Sequence, residues 1–139
     1  MSETQPRRNT GQSIVAVLAG ILVGVALSLG TDELLHLAGV FPPWGQPTGD
    51  SPLILATAYR IVYSIIGSYV VARLAPSRPM AHALAAGIVG FVASIAGAVA
   101  TWNRDLGPHW YPIAVAAIAL PCAWAGCKLH DMVRGTGKA

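Results

Sequence analysis

The chain has 139 residues, of which 54% are hydrophobic and 11% charged, whereas ordinary globular proteins carry about 25% charged residues. This composition excludes a typical soluble domain. The net charge of +3 does not indicate nucleic-acid binding, because the basic residues are scattered at the ends of apolar segments and form no patch with interleaved aromatic residues. We therefore predict no nucleic-acid partner.

Four apolar segments are long enough to cross a hydrocarbon layer of about 30 Å as helices. In chain order they are 13–36, 53–74, 80–101 and 112–129. They predict an all-α polytopic membrane protein, an antiparallel bundle of four transmembrane helices, with tails over 1–12 and 130–139. The lipid bilayer is then its first partner.

The first segment follows Arg7 and Arg8, so the N-terminus also resembles a signal peptide. The small residues around Ala26 and Ser28 would suit a cleavage site. The arginine pair is not followed by the context of a twin-arginine signal. We therefore expect this segment to be retained as the first membrane span.

Basic residues near the helix ends predict the orientation. Only Arg104 falls on one side of the predicted bundle, whereas the other side carries Arg7, Arg8, Arg73, Arg78, Lys128, Arg134 and Lys138. Cytoplasmic loops and tails of membrane proteins carry an excess of Lys and Arg. We therefore predict that both termini are cytoplasmic.

The connections differ in character. Pro76 and Pro79 bracket a short inner turn, which predicts that the second and third helices form a hairpin. The first outer loop is rich in Pro and Gly, which disfavours regular structure. Trp44, Trp102 and Trp110 all fall at the predicted outer interface, where tryptophan rings are enriched.

Small residues recur at four-residue spacing along the spans. The pairs are Gly20 with Gly24, Ala83 with Gly87, and Ala93 with Gly97. Small residues allow the close backbone approach that drives helix association in lipid. They predict packing within one bundle, and a homo-oligomer interface is the alternative.

One charge lies inside an apolar span. Arg60 is thirteen residues from Arg73, or about 20 Å by helical rise, which places it in the outer half of the bilayer. Asp32 and Glu33 end the first span on the same side. Intramembrane charges normally face the bundle interior and pair with one another. We therefore predict a polar cluster of Asp32, Glu33, Arg60, Tyr63 and Ser64.

Three interpretations of this cluster stay open. It is a structural ion pair, part of a solute or proton pathway, or part of a metal or cofactor site. The metal site would use Asp32, His36 and His109, because Asp32 and His36 lie one helical turn apart. The spacing specifies no complete ligand set, and we predict no cofactor.

Several short motifs carry a resemblance. They are Ala58-Tyr59-Arg60, Gly67-Ser68-Tyr69, Ala72-Arg73-Leu74-Ala75-Pro76, Arg78-Pro79-Met80, His82-Ala83, Gly107-Pro108, Trp110-Tyr111-Pro112 and Pro121-Cys122-Ala123-Trp124. With these motifs the chain resembles a group of uncharacterised short bacterial four-helix integral membrane proteins. The resemblance covers about residues 13–129 and implies a bacterial inner-membrane location, but it implies no activity.

Other small membrane families fit less well. Multidrug exporters of this size need an acidic residue in the middle of the first span, and thiol-redox enzymes need a Cys-x-x-Cys pair; this sequence has neither. We expect a structural or accessory protein that packs with itself or with a larger membrane partner, and not an enzyme. The alternatives are a small solute or proton transporter or channel acting as an oligomer and, third, a metal-binding or cofactor-binding membrane protein.

Overall fold

The computed structural model describes residues 10–136 and contains four α-helices. They are α1 (Thr10–Leu37), α2 (Asp50–Leu74), α3 (Pro79–Thr101) and α4 (Trp110–Thr136). No strand occurs in these residues. Each helix is long and apolar enough to cross a membrane, so the predicted all-α bundle of four transmembrane helices is confirmed.

Two helices extend into segments that we predicted as tails. Helix α1 begins at Thr10, and α4 continues to Thr136, so 10–12 and 130–136 are helical. Hydropathy marks where the hydrocarbon layer ends, whereas a helix continues until its backbone meets a breaker, and these stretches contain no proline. The predictions for 1–9 and 137–139 lie outside the described residues.

Local chemistry explains where α2 ends and α3 begins. Helix α2 has Asp50 in its first turn and Arg73 in its last, so both charges interact favourably with the helix dipole. It ends at an extended Ala75, the conformation that a following proline requires. Pro79 then starts α3 in the first turn, where its missing N–H costs nothing. The short hairpin predicted between these spans is present.

Helix α2 is the centre of the bundle. It packs extensively against α1 and α4 and more lightly against α3, while α4 also packs extensively against α3. Helix α1 touches α3 only slightly, and it makes no contact with α4 within residues 10–136. Helices α1 and α4 therefore lie apart, and each of them packs against α2 and α3.

Two of the three small-residue pairs make close helix contacts. A Cβ atom on Gly67 of α2 would lie 2.7 Å from the carbonyl oxygen of Gly20 on α1, and one on Gly87 of α3 would lie 2.7 Å from the Cβ of Ala123 on α4. Gly97 has no heavy atom within 4 Å of such a position. Within the described residues, the Gly97 position of the third pair therefore makes no close helix contact and borders open space.

The two ends of the bundle differ. We call the end that carries residues 38–49 and 102–109 the loop end, and the opposite end, with the α2–α3 turn, the tail end. Near the tail end, Ala72, Ala83 and Cys127 form a buried apolar core against which Met80 packs. The interior is closed there, whereas towards the loop end it opens.

Candidate functional site

A cavity of about 560 Å³ opens at the loop end, and we call it the outer cavity. Side chains from all four helices and both longer loops line it. Most of the lining is apolar or aromatic, and Asp32 and Arg60 are the acidic and basic residues that contribute to it. A concave, mainly apolar site with a few convergent polar groups is the usual form of a small-molecule site.

Asp32 and Arg60 form an ion pair at this cavity. Arg60 donates from Nη2 to Oδ2 of Asp32 at 2.5 Å, and Tyr59 donates its hydroxyl to Oδ1 of the same carboxylate. Both carboxylate oxygens are therefore occupied. The Asp32 side chain is 8% exposed, so the groups that engage it come from the neighbouring helix and not from solvent.

The Arg60 guanidinium is less completely engaged. Its side chain is 27% exposed, and its Nε is buried without a hydrogen-bond partner among the described residues. Tyr111 of α4 lines the same cavity, within hydrogen-bonding reach of Arg60 and close enough to interact electrostatically with Asp32. The ion pair as a whole carries no net charge, but the guanidinium has more donors than the single bond to Asp32 uses, whereas both carboxylate oxygens are occupied.

The other three residues of the predicted cluster take separate positions. Tyr63 shares a hydrogen bond of 2.8 Å with Thr31 and not with the ion pair. Ser64 lies deeper, in the wall of a second cavity. Glu33 is exposed and makes no ion pair or hydrogen bond within residues 10–136, because one residue along a helix turns its side chain about 100° away from Asp32.

Two parallel stacks of histidine on tryptophan line the outer cavity. The ring centroids of His36 and Trp44 are 3.9 Å apart with 9° between the planes, and those of His109 and Trp102 are 4.0 Å apart with 10°. Each histidine also donates to a backbone carbonyl, His36 to that of Asp32 and His109 to that of Trp102. The imidazoles are therefore held in fixed orientations.

These histidines do not form a metal site with Asp32. Among the described residues, no group of three or more His, Cys, Asp or Glu side chains is arranged to hold a metal ion. Asp32 is already bound by Tyr59 and Arg60. The set predicted from the helical spacing of Asp32 and His36 therefore does not come together, because helix spacing alone does not fix where His109 lies.

The loops over the cavity are bonded to each other. The Thr48 amide donates to the Leu106 carbonyl at 2.9 Å, and Trp110 donates from its indole to Asp50 at 2.7 Å. A Cβ on Gly107 would lie 2.9 Å from the Thr48 carbonyl oxygen, so a side chain there would push the loops apart. The two loops, and with them the starts of α2 and α4, are joined into one rim.

A second cavity, of about 310 Å³, lies below the ion pair, and we call it the deep cavity. Residues of all four helices line it, and it shares four residues with the outer cavity, namely Arg60, Ala93, Ser94 and Val115. It reaches Val71 and Ala83, where the tail-end core closes it.

Serine hydroxyls are the main polar groups of the deep cavity below Arg60. Ser68 donates to the Ala123 carbonyl and Ser94 to the Gly90 carbonyl, so these two hydroxyls are satisfied locally. The hydroxyls of Ser28 and Ser64 make no hydrogen bond within the described part of the chain. Two hydroxyls are therefore free to bind something in the cavity.

Tyr59, Trp44 and Trp102 contribute to this site and were not predicted to. Tyr59 precedes Arg60 in the sequence, but its hydrogen bond to Asp32 depends on how α1 and α2 are rotated about their axes. We predicted the tryptophans as interface residues, and each lies beside a histidine only after the loops fold back. The one feature of the sequence that could have indicated a role for Tyr59 is its position next to an intramembrane arginine.

The comparisons give no relative for this chain: no family model, no curated protein and no solved structure matches it. The geometry of the site is thus the basis for assigning a function.

Proposed function

We propose that this protein is a multi-pass protein of the bacterial inner membrane that binds a small anionic compound in the outer cavity. Both termini face the cytoplasm, and the loop end faces outward. The resemblance to short bacterial four-helix membrane proteins and the distribution of Lys and Arg support this placement.

The observation that carries the proposal is the unequal engagement of the two charges. Both oxygens of Asp32 have protein partners, whereas Arg60 bonds to Asp32 through Nη2 alone and its side chain remains 27% exposed in the lining of the outer cavity. Arginine also presents planar donors that match carboxylates and phosphates. A compound with such a group would find a donor at the floor of the cavity and no competing free carboxylate.

The walls add a requirement for shape. The two histidine–tryptophan stacks and the apolar lining favour a compound that has an apolar or aromatic body besides its anionic group. Aromatic carboxylates such as benzoate combine both properties. Benzoate is therefore a suitable first probe.

The closed tail end favours binding over open conduction. Ala72, Ala83 and Cys127 block the interior there, so the described residues contain no continuous channel. We propose an accessory role in which the protein presents or senses its ligand, alone or with a second copy or a larger membrane protein.

A second candidate, transport, is favoured by the deep cavity. This cavity continues past the ion pair, and the free hydroxyls of Ser28 and Ser64 lie along it. If the protein is a transporter, proteoliposomes should accumulate labelled benzoate faster than empty liposomes do. A binding protein would bind benzoate without accelerating its uptake.

Calorimetric titration of the protein in phosphatidylcholine nanodiscs tests the proposed function. We expect saturable binding of benzoate and none of benzamide, which has the same shape without the charge. Gly97→Leu should weaken benzoate binding at least tenfold, because Gly97 lines the outer cavity and a Cβ built on it meets no heavy atom within 4 Å, so the new side chain has room to occupy the cavity.

Gly30→Leu is the matched control, because Gly30 also has open surroundings but lines neither cavity. Benzoate binding should be unchanged in this variant. Equal binding of benzoate and benzamide, or no effect of Gly97→Leu, would contradict an anion site in the outer cavity.

A further inference from the structure

We infer that the ligand is a single-chain amphiphile, whose anionic head binds at Arg60 in the outer cavity and whose alkyl chain occupies the deep cavity. This inference rests on the proposed function and names the class of ligand more narrowly. It follows from how the two cavities meet, what lines them and how large they are.

The cavities meet at the charged group. Arg60, Ala93, Ser94 and Val115 line both of them, so a ligand held at Arg60 has space on either side. Ala93 and Ser94 are small, which leaves the connection between α3 and Arg60 unobstructed by a large side chain. One molecule can therefore extend from the outer cavity into the deep cavity.

The deep cavity suits an alkyl chain better than a hydrated solute. Besides Arg60, its polar lining consists of four serines, two of which already bond to backbone carbonyls. The remaining wall is formed by apolar side chains and glycine. Two hydroxyls cannot replace the hydration shell of an ion, whereas an apolar chain needs no polar partner.

The dimensions agree with a chain of moderate length. The deep cavity of about 310 Å³ has room for about ten groups the size of a water molecule, each about 30 Å³. Along α2 it runs from Arg60 to Val71, which is about 16 Å by helical rise. An unbranched chain of roughly eight to twelve carbons fits this space, taking a methylene as similar in size to water.

The direction of the cavities matches that of a membrane lipid. The head would point towards the loop end and the chain towards the middle of the bundle, as in the leaflet on that side. Helix α1 packs only lightly against α3 and makes no contact with α4 within residues 10–136, so the deep cavity is not enclosed by tight packing along α1. A chain can enter from the bilayer without displacing the tail-end core.

Gly90 allows the chain site to be tested separately. It lines the deep cavity, and a Cβ built on it meets no heavy atom within 4 Å. Gly90→Leu should therefore fill the deep cavity without disturbing the fold or the outer cavity. Gly30→Leu again serves as the matched control on a surface outside both cavities.

The experiment is calorimetric titration in phosphatidylcholine nanodiscs at neutral pH with benzoate, butanoate and octanoate, each corrected with empty nanodiscs. Octanoate should bind the wild type at least tenfold more tightly than butanoate, with one site per chain, and octan-1-ol should not show saturable binding. Gly90→Leu should weaken octanoate binding at least tenfold and leave benzoate binding unchanged.

The outcomes separate the inference from the proposed function. If Gly97→Leu weakens benzoate binding but octanoate binds no more tightly than butanoate, the chain site is overturned and the anion site is kept. The same holds if Gly97→Leu weakens benzoate binding but Gly90→Leu has no effect. Failure of benzoate and of both alkanoates to bind overturns both. Octanoate binding that is equal in the wild type, Gly90→Leu and Gly97→Leu means partition into lipid and overturns the chain site.

Discussion

Arg60 combines two properties that are difficult to satisfy together in a membrane. An arginine at the centre of a span costs about 2.5 to 3.5 kcal/mol on insertion scales, and Arg60, which lies off the centre, bears part of that cost and therefore needs a partner. Asp32 supplies the opposite charge, and Tyr59 holds the carboxylate in place by binding its second oxygen. Tyr59 binds one oxygen of Asp32 and Arg60 binds the other. Because Arg60 uses only one donor on this carboxylate, it keeps part of its donor capacity for the cavity.

A double-mutant cycle tests the coupling between these residues. Arg60→Ala and Asp32→Ala should each lower thermal stability, and together they should cost clearly less than the sum, with a coupling of about 1 to 3 kcal/mol, because each single change leaves a charge unpaired. Thermal unfolding in mild detergent gives the four values.

A second cycle provides the control. Thr57 lies one turn before Arg60, but it bonds only to the Leu53 carbonyl of its own helix. Thr57→Ala combined with Asp32→Ala should therefore be additive. Additive losses for Arg60 and Asp32 as well would contradict the ion pair.

The sequence was sufficient to pair Arg60 with the two acidic residues near the end of α1, Asp32 and Glu33, but not to choose between them or to complete the site. Opposite charges at one end of a bundle of apolar spans have few other partners, so a pairing could be expected. Choosing between Asp32 and Glu33, or between Tyr59 and Tyr63, requires the rotation of each helix about its axis. Spacing within one helix does not determine that rotation.

The helices α1 and α2 are held together by close backbone contact as well as by charge. Gly20 and Gly67 face each other, so the axes approach more closely than larger residues would permit. Ala93 and Gly97 have the same spacing, but Gly97 makes no close contact, and both residues border the outer cavity. Identical patterns can therefore serve packing or leave space, and only the arrangement of the helices distinguishes them.

Substitution of glycine by alanine should distinguish a glycine in a close helix contact from one that borders open space. Gly67→Ala should cost about 1 to 3 kcal/mol of stability, because the new Cβ would lie 2.7 Å from a backbone carbonyl that cannot move cheaply. Gly30→Ala should be neutral or stabilising by up to about 1 kcal/mol, since alanine is the better helix former and the site is open. Thermal unfolding of both variants under the same conditions makes the comparison, and equal losses would contradict close α1–α2 packing.

At the scale of the whole molecule, the bundle is open at one end and closed at the other. The loop end has a cavity and aromatic rings, whereas the tail end has a compact core of small residues. The number and type of the helices followed from apolar length alone, because any span must satisfy its backbone internally. The cavity at the loop end could not be predicted from apolar length, since it depends on which helices do not pack closely against each other.

Orientation is testable with single cysteines. Gln46 lies in a loop at the loop end and Thr136 at the end of α4, while the natural Cys122 and Cys127 are buried. In intact cells, a membrane-impermeant maleimide should label Gln46→Cys and not Thr136→Cys, and after lysis it should label both. Labelling of Thr136→Cys alone before lysis would show the reverse orientation.

The ion pair between α1 and α2 also has a consequence for biosynthesis. Helix α2 has the lowest mean hydropathy of the spans, 1.5 against 2.4 for α1, and it carries the arginine. The insertion cost of that arginine is offset only when Asp32 is already present beside it. Since α1 leaves the ribosome first, we expect its carboxylate to be in place when α2 arrives, so that α2 enters the membrane against α1.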